Sequence, residues 1–126
     1  MIYIASPYTH NDPDVRESRA RAAAALAGEL INSGELAYSP IAHGHAIYEE
    51  HTRRQGSLEF HYGAWRSHSL RMLRMCDRVD VLALPGWRES VGVTDELGVA
   101  VVLGMPIFYW CVRGGVFVQC SRDTAP

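Results

Sequence analysis

A serine, a glycine and a glutamate stand in the order Ser90-x-Gly92-x-x-x-Glu96, just after a short apolar run and the turn Pro85-Gly-Trp87-Arg-Glu89. The run reads as a strand, and the segment from about Val91 to Leu103 reads as the helix that follows it. Ser90, Gly92 and the first free N–H groups of that helix form a small anion site, because orphan donors and the positive end of the dipole point there. The segment is too short for a P-loop and lacks the G-x-G-x-x-G spacing of a dinucleotide fold. The alternative is that Ser90 is only an N-cap and Gly92 only turn material.

Glu96 is the more informative residue. Three residues before it, four after and seven after stand Val93, Ala100 and Leu103, so it shares a sheet-facing side with apolar neighbours. A carboxylate there needs a task or a partner. The nearby helix N-terminus favours its ionised form. An ionised, partly desolvated carboxylate beside an anion site suits a nucleophile that attacks a sugar carbon. The alternative is a buried ion pair with one of the twelve arginines.

Ser69 obeys the same logic. It is the one strongly polar member of the stripe Leu58, Tyr62, Trp65, Ser69, Met72, Cys76. It either bonds back to its own helix or points into the cavity of Glu96. His68 lies next door but about 100° round the helix. The six histidines, among them His43-x-His45, match no standard zinc spacing, so no metal site is expected. A Ser–His–Asp triad is also disfavoured, since no G-x-S-x-G elbow is present.

The elements that position these residues follow from periodicity and punctuation. Met1 to Ala5 reads as a buried strand, and Ser6 to Asp12 as a polar loop. Asp12 and Pro13 start a helix that Gly34 ends. Leu36 to Ser39 reads as a second strand stopped by Pro40, and His43 to Gly56 as a polar stretch holding at most a short helix. Ser57 caps a helix to about Cys76; Val79 to Leu84, Ile107 to Val112 and Val116 to Gln119 complete the strands. The helix from Val91 is apolar nearly all round, so it needs cover beyond its own sheet, as a homodimer partner would give. The alternation implies an α/β fold, a flavodoxin- or Rossmann-like three-layer sandwich on a mostly parallel sheet of four to five strands. Ligands in such folds bind beyond the carboxyl ends of the strands, here Ser6–His10, Ser39–His45 and Pro85–Gly92.

Length and composition set the bounds. The 126 residues suit one domain, taken as residues 1–120, with a frayed tail at 121–126. Hydrophobic residues are 48% and charged residues 21%, so a disordered chain is excluded. The formal net charge of −2 argues against a nucleic-acid polymer as partner. Every cationic side chain is Arg, which removes Schiff-base chemistry and a Walker-A lysine. The longest apolar stretch, Leu97 to Pro106, is too short for a membrane span. Cys76, Cys111 and Cys120 show no C-x-x-C spacing and are expected as free thiols in a reducing cytoplasm.

Taken together, the opening strand with Tyr3 and Ala5-Ser6-Pro7, the Arg-rich first helix, Ser90-x-Gly92-x-x-x-Glu96-x-Gly98-x-Ala100 and Gly104-Met-Pro106-Ile resemble the nucleoside 2-deoxyribosyltransferase-like group. The Ser-to-Glu spacing is similar to that of the 2′-deoxynucleoside 5′-monophosphate N-glycosidases. Tyr8-Thr-His10, Ser39-Pro40 and Pro85-Gly-Trp87 look closer to small uncharacterised bacterial and phage domains of the same clan. The resemblance covers residues 1 to about 110. It implies a flavodoxin-like fold, N-glycosidic chemistry on a nucleoside or nucleotide without metal or cofactor, and a homodimer. Glu96 then matches the nucleophile, Tyr3 the tyrosine that orients it, and Ser90 the serine on a 5′-phosphate. Base contacts would fall to the segment from Pro7 to His10, with Ser6 beside it, and to His43 or Trp87. One departure matters: the family carries an Asp eight residues before the position of Asp77, and here that residue is Ser69. Serine is no efficient general acid, so either His68 substitutes or the activity is impaired, leaving a nucleotide-binding or sensing module.

Overall fold

The computed structural model describes residues 1–55 and 62–126. Its sheet contains β1 (Ile2–Ala5), β2 (Ala37–Tyr38), β3 (Arg78–Leu82), β4 (Ile107–Arg113) and β5 (Val116–Cys120), in the spatial order β2-β1-β3-β4-β5. The first four run parallel, and β5 returns antiparallel to β4. Gly114 and Gly115 both have positive φ (58° and 75°), the condition a tight hairpin turn imposes on its two central residues.

Between the strands lie α1 (Pro13–Asn32), α2 (Pro40–Gln55), α3 (Tyr62–Arg74) and α4 (Val91–Val102). The period of two in the strands sorts the core into two faces. Ile2, Ile4 and Leu82 meet Ala23, Leu26 and Leu30 of α1. Tyr3, Ala5, Val79 and Val81 meet Leu70 and Leu73 of α3 and Val93 and Ala100 of α4. The expected three-layer α/β sandwich is thus the observed architecture.

Local chemistry sets the helix starts. Asp12 caps α1 by accepting from the Asp14 N–H at 2.9 Å, with Pro13 following. Ser39 does the same for α2, its Oγ accepting from the Ala42 N–H at 3.0 Å. That bond explains a correction: the stretch expected to hold at most a short helix is a helix of 16 residues. Pro40 is buried at its first position and opens a helix as well as ending a strand. Glu50 pairs with Arg53 and Arg54 along its outer side. The Ser57 cap expected for the next helix lies outside the described residues.

Two further expectations fail. Cys111 and Cys120 form a disulfide, leaving Cys76 as the free, buried thiol among the described residues. In the hairpin register Tyr109 faces Cys120 and Cys111 faces Val118, so the cysteines are diagonal neighbours on one face of the sheet. The reduced-thiol expectation, on which a cytoplasmic setting rested, therefore fails for two of the three cysteines. The last residues are also not frayed. Trp87 Nε1 donates to the Pro126 carbonyl, Arg88 donates to the carbonyls of Arg122 and Ala125, and Ala125 is buried. Among the described residues no helix is long and apolar enough to cross a membrane.

Candidate active site

Strand order 2-1-3 places the loops after β1 and β3 on either side of a topological switch point, where open α/β sheets bind ligands. A cavity of about 330 Å³ opens beside it. The loop after β1 contributes Tyr8, Thr9 and His10, and α1 contributes Arg16. The first turns of α2 bring Pro40, Ile41, Gly44, His45 and Tyr48. Trp65 and Ser69 come from α3, and Glu96 from α4.

Glu96 is 7% exposed, on the sheet-facing side of its helix as the spacing predicts. Among the described residues neither oxygen pairs with an arginine, and Oε2 has no hydrogen-bond partner. The buried ion-pair alternative therefore does not describe it. Burial pushes its carboxyl up to about 8; the Tyr3 hydroxyl pulls it partly back, and the neighbouring Asp95 charge adds to the rise. Desolvation thus opposes the ionised form that the nearby helix N-terminus favours.

Tyr3 comes from the central strand and is fully buried between Glu96, Ser69 and Tyr38. Burial first, then the Glu96 charge, raises its phenol well above the ordinary tyrosine range. Its hydroxyl is within electrostatic reach of both Glu96 and Ser69, yet among the described residues no contact meets hydrogen-bond geometry. Gly92 sits over the carboxylate, since a Cβ there would lie 3.8 Å from Glu96 Oε1 and 3.9 Å from Ser90 Oγ. Ser90 is the N-cap of α4, its Oγ accepting from the Val93 N–H at 3.3 Å.

The remaining expected residues divide. His10 lines the cavity; its Nδ1 accepts from the Asp12 N–H at 3.0 Å. Ser6 and Pro7 are buried beneath the loop, and Ser6 Oγ has no partner among the described residues. Of the expected residues, Tyr3, Ser6, Pro7, His43, Trp87, Ser90 and Gly92 do not line the cavity, and two of these are engaged well away from Glu96. His43 stacks on His68 with centroids 5.8 Å apart, at the outer contact of α2 and α3. Trp87 is buried against Tyr109 and tied to the chain end. Both were placed by loop position alone, and the sequence does not say which way a loop side chain turns.

Sequence reasoning missed Arg16, His45, Tyr48 and Trp65. Once the polar stretch after Ser39 is helical, Ile41, His45 and Tyr48 recur at steps of four and three and share one face. Tyr8 Oη and His45 Nδ1 are 2.7 Å apart, and His45 Nε2 lies 3.9 Å from Glu49 Oε1. Arg19 of α1 bridges the loops after β1 and β3, donating to the carbonyl of Thr9 at 2.9 Å and that of Pro85 at 3.1 Å. Among the described residues no three His, Cys, Asp or Glu side chains converge as a metal-holding group.

A sequence-family profile described as a domain of unknown function, DUF1937, matches residues 1–112. The chain is a DUF1937 domain. No curated protein matches it in sequence. Among solved structures the DUF1937 domain is similar to a 2-deoxyribosyltransferase from Bacillus psychrosaccharolyticus, with TM-score 0.58 and 19% identity over 91% of this chain and 74% of that one. It is also similar to a 2-deoxyribosyltransferase from Leishmania mexicana, with TM-score 0.55 and 19% identity over 89% of this chain and 64% of that one. At this identity the likeness establishes that the DUF1937 domain shares their fold.

Proposed function

We propose that this DUF1937 domain cleaves or transfers the N-glycosidic bond of a nucleoside or nucleoside 5′-monophosphate. The observation that carries the reading is Glu96: a buried carboxyl with an unpartnered oxygen, facing a cavity at the switch point and flanked by Tyr3 and Ser69. Its burial is a cost that folding alone does not require. The fold shared with proteins named as 2-deoxyribosyltransferases supports the same reaction class.

In this mechanism a Glu96 oxygen bonds to the anomeric carbon as the bond from that carbon to the base nitrogen breaks. Tyr3 orients the carboxylate. Ser90 and the start of α4 hold a 5′-phosphate, and Gly92 leaves room for the sugar beside Glu96. Water then releases the sugar in hydrolysis, or a second base takes it in transfer. Exposed Val101, Val102 and Leu103 on α4 support a homodimer.

The test is a base-release screen over common nucleosides and 5′-monophosphates, ribo and deoxy, read by chromatography. Release that Glu96→Ala abolishes supports the reading. A second reading, a nucleotide-binding module without turnover, draws on Ser69, a cavity-wall residue that cannot act as the acid. Tight nucleotide binding without release of any base would favour it.

A further inference from the structure

The cavity wall facing Glu96 carries a pair of side chains that the mechanism above leaves idle. Tyr8, from the loop after β1, and His45, from the second turn of α2, are joined by a 2.7 Å contact between Oη and Nδ1. The two rings meet edge to face with centroids 5.6 Å apart. The His45 side chain is 16% exposed, and its other nitrogen faces the Glu49 carboxylate at 3.9 Å. A departing base needs a proton, and the neighbouring groups are poor sources. Ser69 is far too weak an acid. Arg16 does not give up its proton. His10 is exposed and its Nδ1 is engaged by the Asp12 N–H.

Building on the glycosidic reading, we infer that the Tyr8–His45 pair supplies the proton taken up by the leaving base, with Tyr8 Oη as the donor atom and His45 as the positioning residue behind it. With its proton on Nδ1, His45 donates to Tyr8 Oη and turns the hydroxyl proton towards the cavity. As the glycosidic bond breaks, its electron pair goes to the base nitrogen, which takes the Tyr8 proton. Tyr8 is left as a phenolate that accepts from His45 Nδ1–H. In the second half, water attacks the anomeric carbon, the bond to Glu96 breaks, and the proton of water returns to Tyr8. Burial raises the Tyr8 phenol above its ordinary value, which keeps it protonated.

The test compares two substrates: a nucleotide of the screened panel, the one released fastest where any is, and its ring-N-methylated counterpart, whose base departs without taking a proton. Tyr8→Phe is expected to slow release from the unmethylated nucleotide about 100-fold or more, and from the methylated one less than about threefold. His45→Gln should show the same split with a smaller loss, and carries the test if circular dichroism shows that Tyr8→Phe does not fold. Equal losses on both substrates, or no loss on the first, overturn the assignment while the glycosidic reading stands. So does a wild-type protein that cleaves only the methylated compound. A wild-type protein inert towards both overturns the glycosidic reading and this assignment together.

Discussion

The Tyr3 hydroxyl and the Glu96 carboxyl face one another across the junction of β1 and α4, and each keeps an oxygen without a hydrogen-bond partner among the described residues. Two buried polar groups left so cost stability, on the order of 1–3 kcal/mol each. They also set the acid strength at the base of the cavity, since the phenol is the group that draws the Glu96 value downward.

Glu96 should therefore make stability fall as pH rises. Below its ordinary value of 4.5 the carboxyl is protonated in both folded and unfolded chains and adds no pH-dependent cost. Between 4.5 and about 8 the unfolded chain releases the proton while the folded chain holds it. Stability declines through that window, by on the order of 5 kcal/mol at most, and the loss is complete above it. Glu96→Gln should remove this part of the pH dependence. Urea unfolding of both proteins at pH 5, 7 and 9 checks it, and parallel pH curves would refute it.

The same titration predicts activity in the opposite direction. If Glu96 attacks as its anion, kcat/KM rises with pH through a midpoint near 8, the value of the free enzyme, and levels off only above it. A profile flat from pH 6 to 9 would contradict a titrating Glu96 nucleophile.

Tyr3→Phe should separate the two roles of the pair. The change removes an unpartnered hydroxyl and keeps the ring, so stability stays within about 1 kcal/mol of wild type. Glu96 loses the group that lowers its value, so the pH midpoint of kcat/KM moves up and release at neutral pH falls about tenfold. An unchanged midpoint would show that the phenol does not act on the carboxyl.

Ser90 admits a similar separation of cap from ligand. Ser90→Gly costs only a few tenths of a kcal/mol as an N-cap change, whereas Ser90→Ala costs about 1 kcal/mol. If the hydroxyl also holds a 5′-phosphate, Ser90→Gly raises KM for monophosphates and leaves nucleosides unaffected. Equal KM changes for both substrate classes would reduce Ser90 to a cap.

Reduction of the disulfide between Cys111 and Cys120 should lower stability by about 2–3 kcal/mol, given the short loop it closes. Neither cysteine lines the cavity, so base release at ambient temperature should be unchanged. Thermal melts and base-release assays with and without reductant decide this together.

The strands and their order along the chain were legible because most are short β-prone runs with Gly, Pro or Asp close to their ends. Glu96 was legible because a carboxylate at steps of three and four among Val93 and Ala100 breaks the apolar pattern of a helix face. Part of the cavity was not. Arg16 and Trp65 look like ordinary helix residues, and His45 and Tyr48 share no face until α2 is recognised as a helix, whose polar composition hid its period. The upward pull of burial on Glu96 was not legible because burial is a property of the packed layers, whereas the helix terminus shows in one dimension. The disulfide escaped because it depends on the register of the β4–β5 hairpin, which the Gly114–Gly115 turn fixes.

Arg19 holds the loop after β1 through Thr9 and the loop after β3 through Pro85, from a single side chain on α1. The two banks of the switch point are thereby one mechanical unit. The guanidinium couples their spacing, so a molecule gripped by either bank is registered against the other. The spacing between Tyr8 and the start of α4 is then inherited from the seat of α1 on the sheet, the helix that also brings Arg16 to the cavity.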